Sequence, residues 1–373
     1  MSSHHIEHVE AHLVGLPLLR PHKLAMHTIE TQLTVILRIR CSDGVSGIGE
    51  AATIGGLSYA GESPESIKVN IERYFTPLLI GQNPYNLNAL MERIDNSIKG
   101  NTFARSAVES ALLDAQGKHL GLSVAEVLGG PLVDALEVVW VLASGDTHQD
   151  IDEAEKMLDL HRHRHFKVKL GATSLARDVQ HAATIKQALG NRASVRVDIN
   201  QSWSESLCIG AGAQLAAAGV EMIEQPVPRH DWRALARLSR HLPIPLMADE
   251  AIESVADSFN LASAACAPIF SLKIAKTGGP RAVLRTAAIA QAAGIDLYGG
   301  TMLESSIGTL ASAHAFATLP PLAWDTELFG PLLLAEDVVS ERPQYHDFKL
   351  WLPKGPGLGV QIDENQLARL IQR

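Results

Sequence analysis

From residue 136 onward the chain alternates short apolar runs with longer alanine-rich stretches of helical periodicity. The runs start near 136, 166, 194, 221, 245, 269, 295 and 322. Their spacing of roughly 25–30 residues is what a strand, a crossover helix and two loops require. Helical patterns fill the intervals at about 148–162, 175–189, 205–218 and 307–318, with Gly190 and Gly219 in C-cap positions. A further helix opens at Pro280 and stops before Gly294. The pattern predicts consecutive βα units, a modified TIM-type (β/α) barrel of seven or eight strands in which the last run, Leu322 to Glu327, is the weakest.

The first 130 residues read differently. Segments 6–19 and 28–41 carry β-prone residues, Thr34 to Arg40 alternates, and Ser42-Asp43-Gly44 supplies a turn into Val45 to Glu50. This predicts an antiparallel meander. Helical patterns follow at 64–80, 86–98 and 103–120, so residues 1–130 are expected to form an α+β domain. Two mixed loops, Arg20 to His27 and Ala51 to Tyr59, have the composition of lids. The barrel is expected over 131–330. The tail 331–373, strand-like at Phe348 to Trp351, is expected to pack back on the N-terminal domain.

Charged residues punctuate the barrel runs. Lys167 and Lys169 alternate with Phe166, Val168 and Leu170, so both lysines face one way and each makes the other easier to deprotonate. Later runs end in Asp198, Glu224, Asp249, Lys273 and, two units on, Glu327. In a (β/α) barrel the C-terminal strand ends converge on one face, where the active site lies. Three carboxylates gathered there repel unless a hard divalent cation joins them, which points to Mg²⁺ or Mn²⁺ at Asp198, Glu224 and Asp249. Asn200, Gln225 and Glu250 lie close enough in sequence to hold those ligands. Lys169 and Lys273 would flank the ion from opposite sides, an arrangement suited to proton transfer next to a carboxylate. The histidines between His161 and His165 precede a strand and are expected as a solvated helix end at the opposite face.

Composition narrows the partners. A formal charge of −9 argues against nucleic acid and anionic membranes, and no apolar run is long enough to span a bilayer. The N-terminal stretch from Met1 to His8 lacks the order of a signal peptide. Cys41, Cys208 and Cys266 are odd in number and far apart, which suits buried thiols in a reducing compartment. A cytoplasmic enzyme is expected.

The stretches Lys167-Val168-Lys169, Asp198-Ile199-Asn200, Ile223-Glu224-Gln225-Pro226, Met247-Ala248-Asp249-Glu250 and Leu272 to Gly279 resemble the enolase superfamily. Arg20 to His27, Gly299 to Glu304 and Thr326 to Pro331 narrow the resemblance to its muconate-lactonising subgroup, end to end. The resemblance implies that residues 1–130 cap the barrel. It implies reversible lactonisation of cis,cis-muconate, a small dicarboxylate, through a metal-stabilised enolate in the catechol branch of the β-ketoadipate pathway. It also implies a homo-oligomer, with octamers known in the family. Lys169 would exchange the proton, Lys167 would tune it and contact the substrate carboxylate, and Lys273 would flank the other face. Glu327 would orient the substrate. His22, Ile54 and Tyr59 would close over it, with Met302 and Phe329 shaping the pocket.

Several alternatives keep the fold: chloromuconate cycloisomerases, dipeptide epimerases, N-acylamino acid racemases and o-succinylbenzoate synthases. A Schiff-base lyase using Lys169 or Lys273 as nucleophile is a reading from another class. A non-catalytic ligand-binding barrel is a third.

Overall fold

The computed structural model describes residues 4–372. Met1–Ser3, part of the N-terminal stretch read above, and Arg373 lie outside the described residues. The chain opens with β1 (Ile6–Lys23), β2 (Thr28–Cys41) and β3 (Ser46–Ala52), an antiparallel sheet in the order β1-β2-β3. The helix Thr102–Leu120 packs on β3 at very short range. A Cβ on Gly47 would lie 2.0 Å from the Ala111 carbonyl oxygen, and one on Gly49 2.1 Å from that of Ala107. Only glycine permits that approach.

β1 is longer than expected. It breaks register between Pro17 and His22 but resumes, with His22 opposite Ile29, so the first lid loop shrinks to residues 24–27. Proline removes a ladder donor without turning the chain. The helix predicted at 64–80 is continuous but passes through a π turn, Ile71–Phe75.

The run near 136 divides in two. β4 (Ala135–Glu137) leaves the barrel, and β5 (Trp140–Leu142) becomes its first strand. β6 (His165–Lys169), β7 (Ser194–Asp198), β8 (Ile223–Glu224), β9 (Leu246–Ala248), β10 (Ile269–Leu272) and β11 (Asp296–Gly299) follow in parallel, in sequential order. The weak eighth run forms no strand. Thr326 instead bridges Val138 on one side and Gly299 on the other, which closes the curled sheet. Val139, Met222, Met247, Ile269 and Tyr298 fill the barrel floor as a separate apolar layer.

The tail touches both β4 and the N-terminal domain. Its strands form a small antiparallel sheet in which β12 (Gln344–His346) pairs with β13 (Lys349–Trp351) and β13 with β4. On the N-terminal side the Ala335 N–H donates to the Pro17 carbonyl and the Leu358 N–H to Asp114, and the last helix, Glu364–Leu370, packs on β1, where the Gln372 N–H donates to the Leu13 carbonyl. Among the described residues no helix is long and apolar enough to cross a membrane.

Candidate active site

The barrel strands bury their apolar residues, and β6 to β10 bring charged residues at or just past their C-terminal ends to one mouth. There Lys169 Nζ donates to Asp198 Oδ2 at 2.5 Å and to Asn200 Oδ1 at 3.3 Å. Lys167 Nζ, fully buried, donates to Glu224 at 2.6 Å and to Glu327 at 2.7 Å. From the far side, Lys273 Nζ donates to Asp249 Oδ2 at 2.6 Å and to the Tyr59 hydroxyl at 2.9 Å. The acids therefore sit on β7, β8 and the end of β9, between a lysine pair on β6 and a lysine beyond β10.

Hydrogen bonds fix the acids. The Asn200 N–H donates to Asp198 Oδ1 at 2.9 Å, and the Asn200 side chain reaches Glu250 at 3.1 Å. Gln225 Oε1 accepts from the N–H of Asp249 at 2.9 Å and of Ala251 at 3.2 Å. Asn200 (φ 43) and Gln225 (φ 31) adopt left-handed backbone where the strands end. Lys276, which the sequence did not single out, is buried and donates to Asp249 Oδ1 at 2.5 Å. It sits on a single helical turn, Ile274–Thr277, three residues past Lys273.

Burial alone would lower the Lys167 ammonium, but Glu224 and Glu327 outweigh it and hold it well above its ordinary value. This reverses the expected effect of pairing it with Lys169: the nearest charges are acids. Lys273 is held up in the same way, by Asp249 first among its neighbours against the cost of burial. For Asp198, burial is outweighed by Lys169 and Lys167, which keep its carboxyl below the usual range. Burial and the charge of Asp198 push Glu224 well above that range. Glu224 Oε1 is buried with no hydrogen-bond partner among the described residues. An orphaned carboxylate oxygen between two further carboxylates is a set of hard donors that fits a divalent cation.

The cap closes this mouth. His22, Ile54, Tyr59 and Phe329 line the cavity together with Lys167, Lys169, Lys273, Asp198 and Glu327. Its free volume is about 10 Å³, room for one water. Glu224 and Asp249 lie behind the wall. Burial, then the charges of Lys169, Arg20 and Lys167, lower the His22 ring well below its ordinary value, so it is neutral; its Nδ1 is buried without a partner among the described residues. Met302 does not reach the cavity, which takes Thr301 and Leu303 instead. The Thr301 hydroxyl and the Met302 N–H both donate to the Glu304 carboxylate, and Leu303 turns the chain at φ 63. Leu24 from the first lid is an unanticipated lining residue.

The histidine-rich helix end is not uniformly solvated. His163 is buried, bonds the Val138 carbonyl through Nδ1 at 2.9 Å and stacks on Trp140. His165 Nε2 lies 3.8 Å from Glu137 and 3.9 Å from Asp325, a trio that could hold a metal by proximity. Arg164 and Arg196 already pair with those two acids at 2.8 Å each. We read this rim as charge-paired structure.

Known proteins match this geometry along the whole chain. The enolase C-terminal domain-like family matches residues 149–366, and the mandelate racemase / muconate lactonizing enzyme N-terminal domain family matches 8–129. Muconate cycloisomerase 1 of Pseudomonas putida is 60% identical over 375 aligned residues and covers 100% of both chains. A chloromuconate cycloisomerase of Pseudomonas putida is 43% identical, covering 98% of this chain and 99% of its own. The crystal structure of muconate lactonizing enzyme from Pseudomonas fluorescens complexed with muconolactone superposes with a TM-score of 0.98 at 60% identity, over 99% of each chain. With both of its characteristic domains matched, this chain belongs to the enolase superfamily.

Proposed function

We propose that this chain catalyses the reversible lactonisation of cis,cis-muconate to muconolactone, a cycloisomerisation in the catechol branch of the β-ketoadipate pathway. The observation that carries the reading is the pair of lysines, Lys169 and Lys273, placed across three carboxylates inside a closed, water-poor cavity. The 60% identity to a muconate cycloisomerase, against 43% to a chloromuconate cycloisomerase, supports muconate as substrate.

One carboxylate of muconate adds to its own distant double bond. A C–O bond forms, and the electron pair moves to the carbon next to the other carboxylate, giving an enolate. Lys169, as the ammonium paired with Asp198, gives that carbon its proton. Lys167, held charged between Glu224 and Glu327, contacts the enolate carboxylate, and Lys273 closes the opposite face. Glu327 and the unpartnered nitrogen of neutral His22 orient the substrate, while Ile54, Tyr59 and Phe329 exclude water. Enzymes of this superfamily use divalent metals, and Mn²⁺ or Mg²⁺ held by Asp198, Glu224 and Asp249 supplies positive charge against the enolate. Because Lys273 is held protonated, it is a poor nucleophile for a Schiff base.

Buried free thiols at Cys41, Cys208 and Cys266 support a cytoplasmic setting. Apolar side chains exposed on successive outer helices, among them Ile209, Trp232 and Phe259, support a homo-oligomer. The test of the chemistry is turnover in D₂O with Mn²⁺. Muconolactone should carry one deuterium at the protonated carbon, and Lys169→Ala should form it about 10²–10⁴-fold more slowly. Product without deuterium would overturn the enolate step, and turnover by Lys169→Ala within tenfold of the parent would overturn the role of that lysine.

A further inference from the structure

The catalytic cavity, with room for one water, is sealed on one side by a second and larger one of about 570 Å³. Leu24 and Lys169 line both, so the two residues form the partition. Leu24 stands at the tip of the first lid, which is tied to the barrel rim where the Lys23 N–H donates to the Ala143 carbonyl at 3.1 Å. Just beyond, Gly145 (φ 74) leaves room for the Lys23 side chain; a Cβ there would come within 3.0 Å of Lys23 Nζ.

Three cations and one acid line the outer cavity: Lys23, Lys169, Arg177 and Asp178. Lys23 and Arg177 both face it, and among the described residues neither side chain has a hydrogen bond or an ion pair. The one acid on the wall, Asp178, is already committed: its oxygens accept from the Gly171 N–H at 2.9 Å and the Thr173 hydroxyl at 2.5 Å. His181 is likewise engaged, by Thr147 at 2.7 Å. Two unpaired cations therefore line the larger cavity, which Lys169 shares with the catalytic one.

A dicarboxylate approaching a chain of net charge −9 is repelled at long range. Cations left unpaired at a concave mouth reverse that field locally and raise the concentration of an anion where it must enter. A volume of this size also lies within the range of small-molecule sites. We propose that this outer cavity is an antechamber for a small dicarboxylate, which rests with one carboxylate on Lys23 and Arg177 and passes inward between Leu24 and Lys169. The proposal rests on the dicarboxylate reading of the catalytic site.

The test compares the Mn²⁺-loaded enzyme with the double variant Lys23→Gln/Arg177→Gln. In the parent, kcat/KM for cis,cis-muconate should fall as ionic strength rises. In the variant it should drop about tenfold at low salt, mostly through KM, and lose most of that salt dependence. Leu24→Trp should lower kcat/KM with Mn²⁺ binding intact. Independently of turnover, adipate, the saturated analogue, should slow acetylation of Lys23 as read by mass spectrometry. A double variant with the parent's kcat/KM and salt dependence, or a Lys23 that adipate leaves unprotected, overturns the antechamber. If muconate is not turned over but adipate protects Lys23, the antechamber stands and the choice of substrate fails.

Discussion

Tyr59→Phe removes one oxygen from the contact that pins the second lid to the barrel. The hydroxyl donates to Asp249 Oδ2 at 2.8 Å and accepts from Lys273 Nζ at 2.9 Å, and the ring is buried. Burial, with Asp249 and Glu250, pushes the phenol well above its ordinary range, so it remains a donor throughout the working pH range. Phenylalanine keeps the shape and loses both hydrogen bonds, of which even one to a charged group is worth about 1.5–3 kcal/mol. At 1.4 kcal/mol per factor of ten, closure of the lid over the cavity should weaken roughly tenfold to a hundredfold. If closure precedes protonation, kcat/KM for muconate falls by that factor, read as loss of diene absorbance. Amide exchange over residues 53–60 should accelerate in parallel. Kinetics within twofold of the parent, with unchanged exchange, would refute the coupling of this lid to Asp249.

Other substitutions probe separate parts of the account. Lys169→Ala should lower kcat by about 10²–10⁴-fold while Mn²⁺ still binds, since general acid catalysis contributes that much; activity within tenfold would place the proton donor elsewhere. Glu224→Gln should weaken Mn²⁺ binding, measured by calorimetry, because it removes the charge of the orphaned carboxylate; unchanged affinity would move the metal. Gly49→Ala should destabilise by about 1–3 kcal/mol or more, since its Cβ meets the Ala107 carbonyl oxygen at 2.1 Å; a variant unfolding at the parent's urea midpoint would contradict that packing. Burial pulls the His314 ring down to about 4. The unfolded chain protonates this residue below about 6.5, so its contribution is complete above that pH and is lost as pH falls towards 4, by about 3 kcal/mol. Urea unfolding of His314→Gln should show a shallower pH slope over that interval, and parallel slopes would contradict it.

The barrel was legible because β6 to β10 repeat one plan, apolar residues leading to a charged residue at the mouth. Asp198, Glu224, Asp249 and Lys273 follow that rule, and the structure gathers them. Lys276 does not, because it stands on a helical turn where a lysine three residues after another resembles an ordinary solvated pair. Met302 was misplaced because only the folded loop shows Thr301 and Leu303 turned inward. His163 read as solvated among its basic neighbours, yet the split between β4 and β5 carries Trp140 over it. Periodicity also cannot reveal that His22 and Lys23 rejoin the ladder after two prolines, nor that β13 chooses β4 as partner. Those outcomes depend on long-range pairing, which local propensity does not encode.

The most direct measurement follows the diene absorbance of cis,cis-muconate in the presence of the purified protein and Mn²⁺, then with excess chelator. Absorbance should be lost rapidly with metal, stop falling with chelator, resume falling on adding Mn²⁺ back, and be lost about 10²–10⁴-fold more slowly with Lys169→Ala. A folded, Mn²⁺-loaded protein that leaves the diene intact would contradict the assignment of muconate as its substrate.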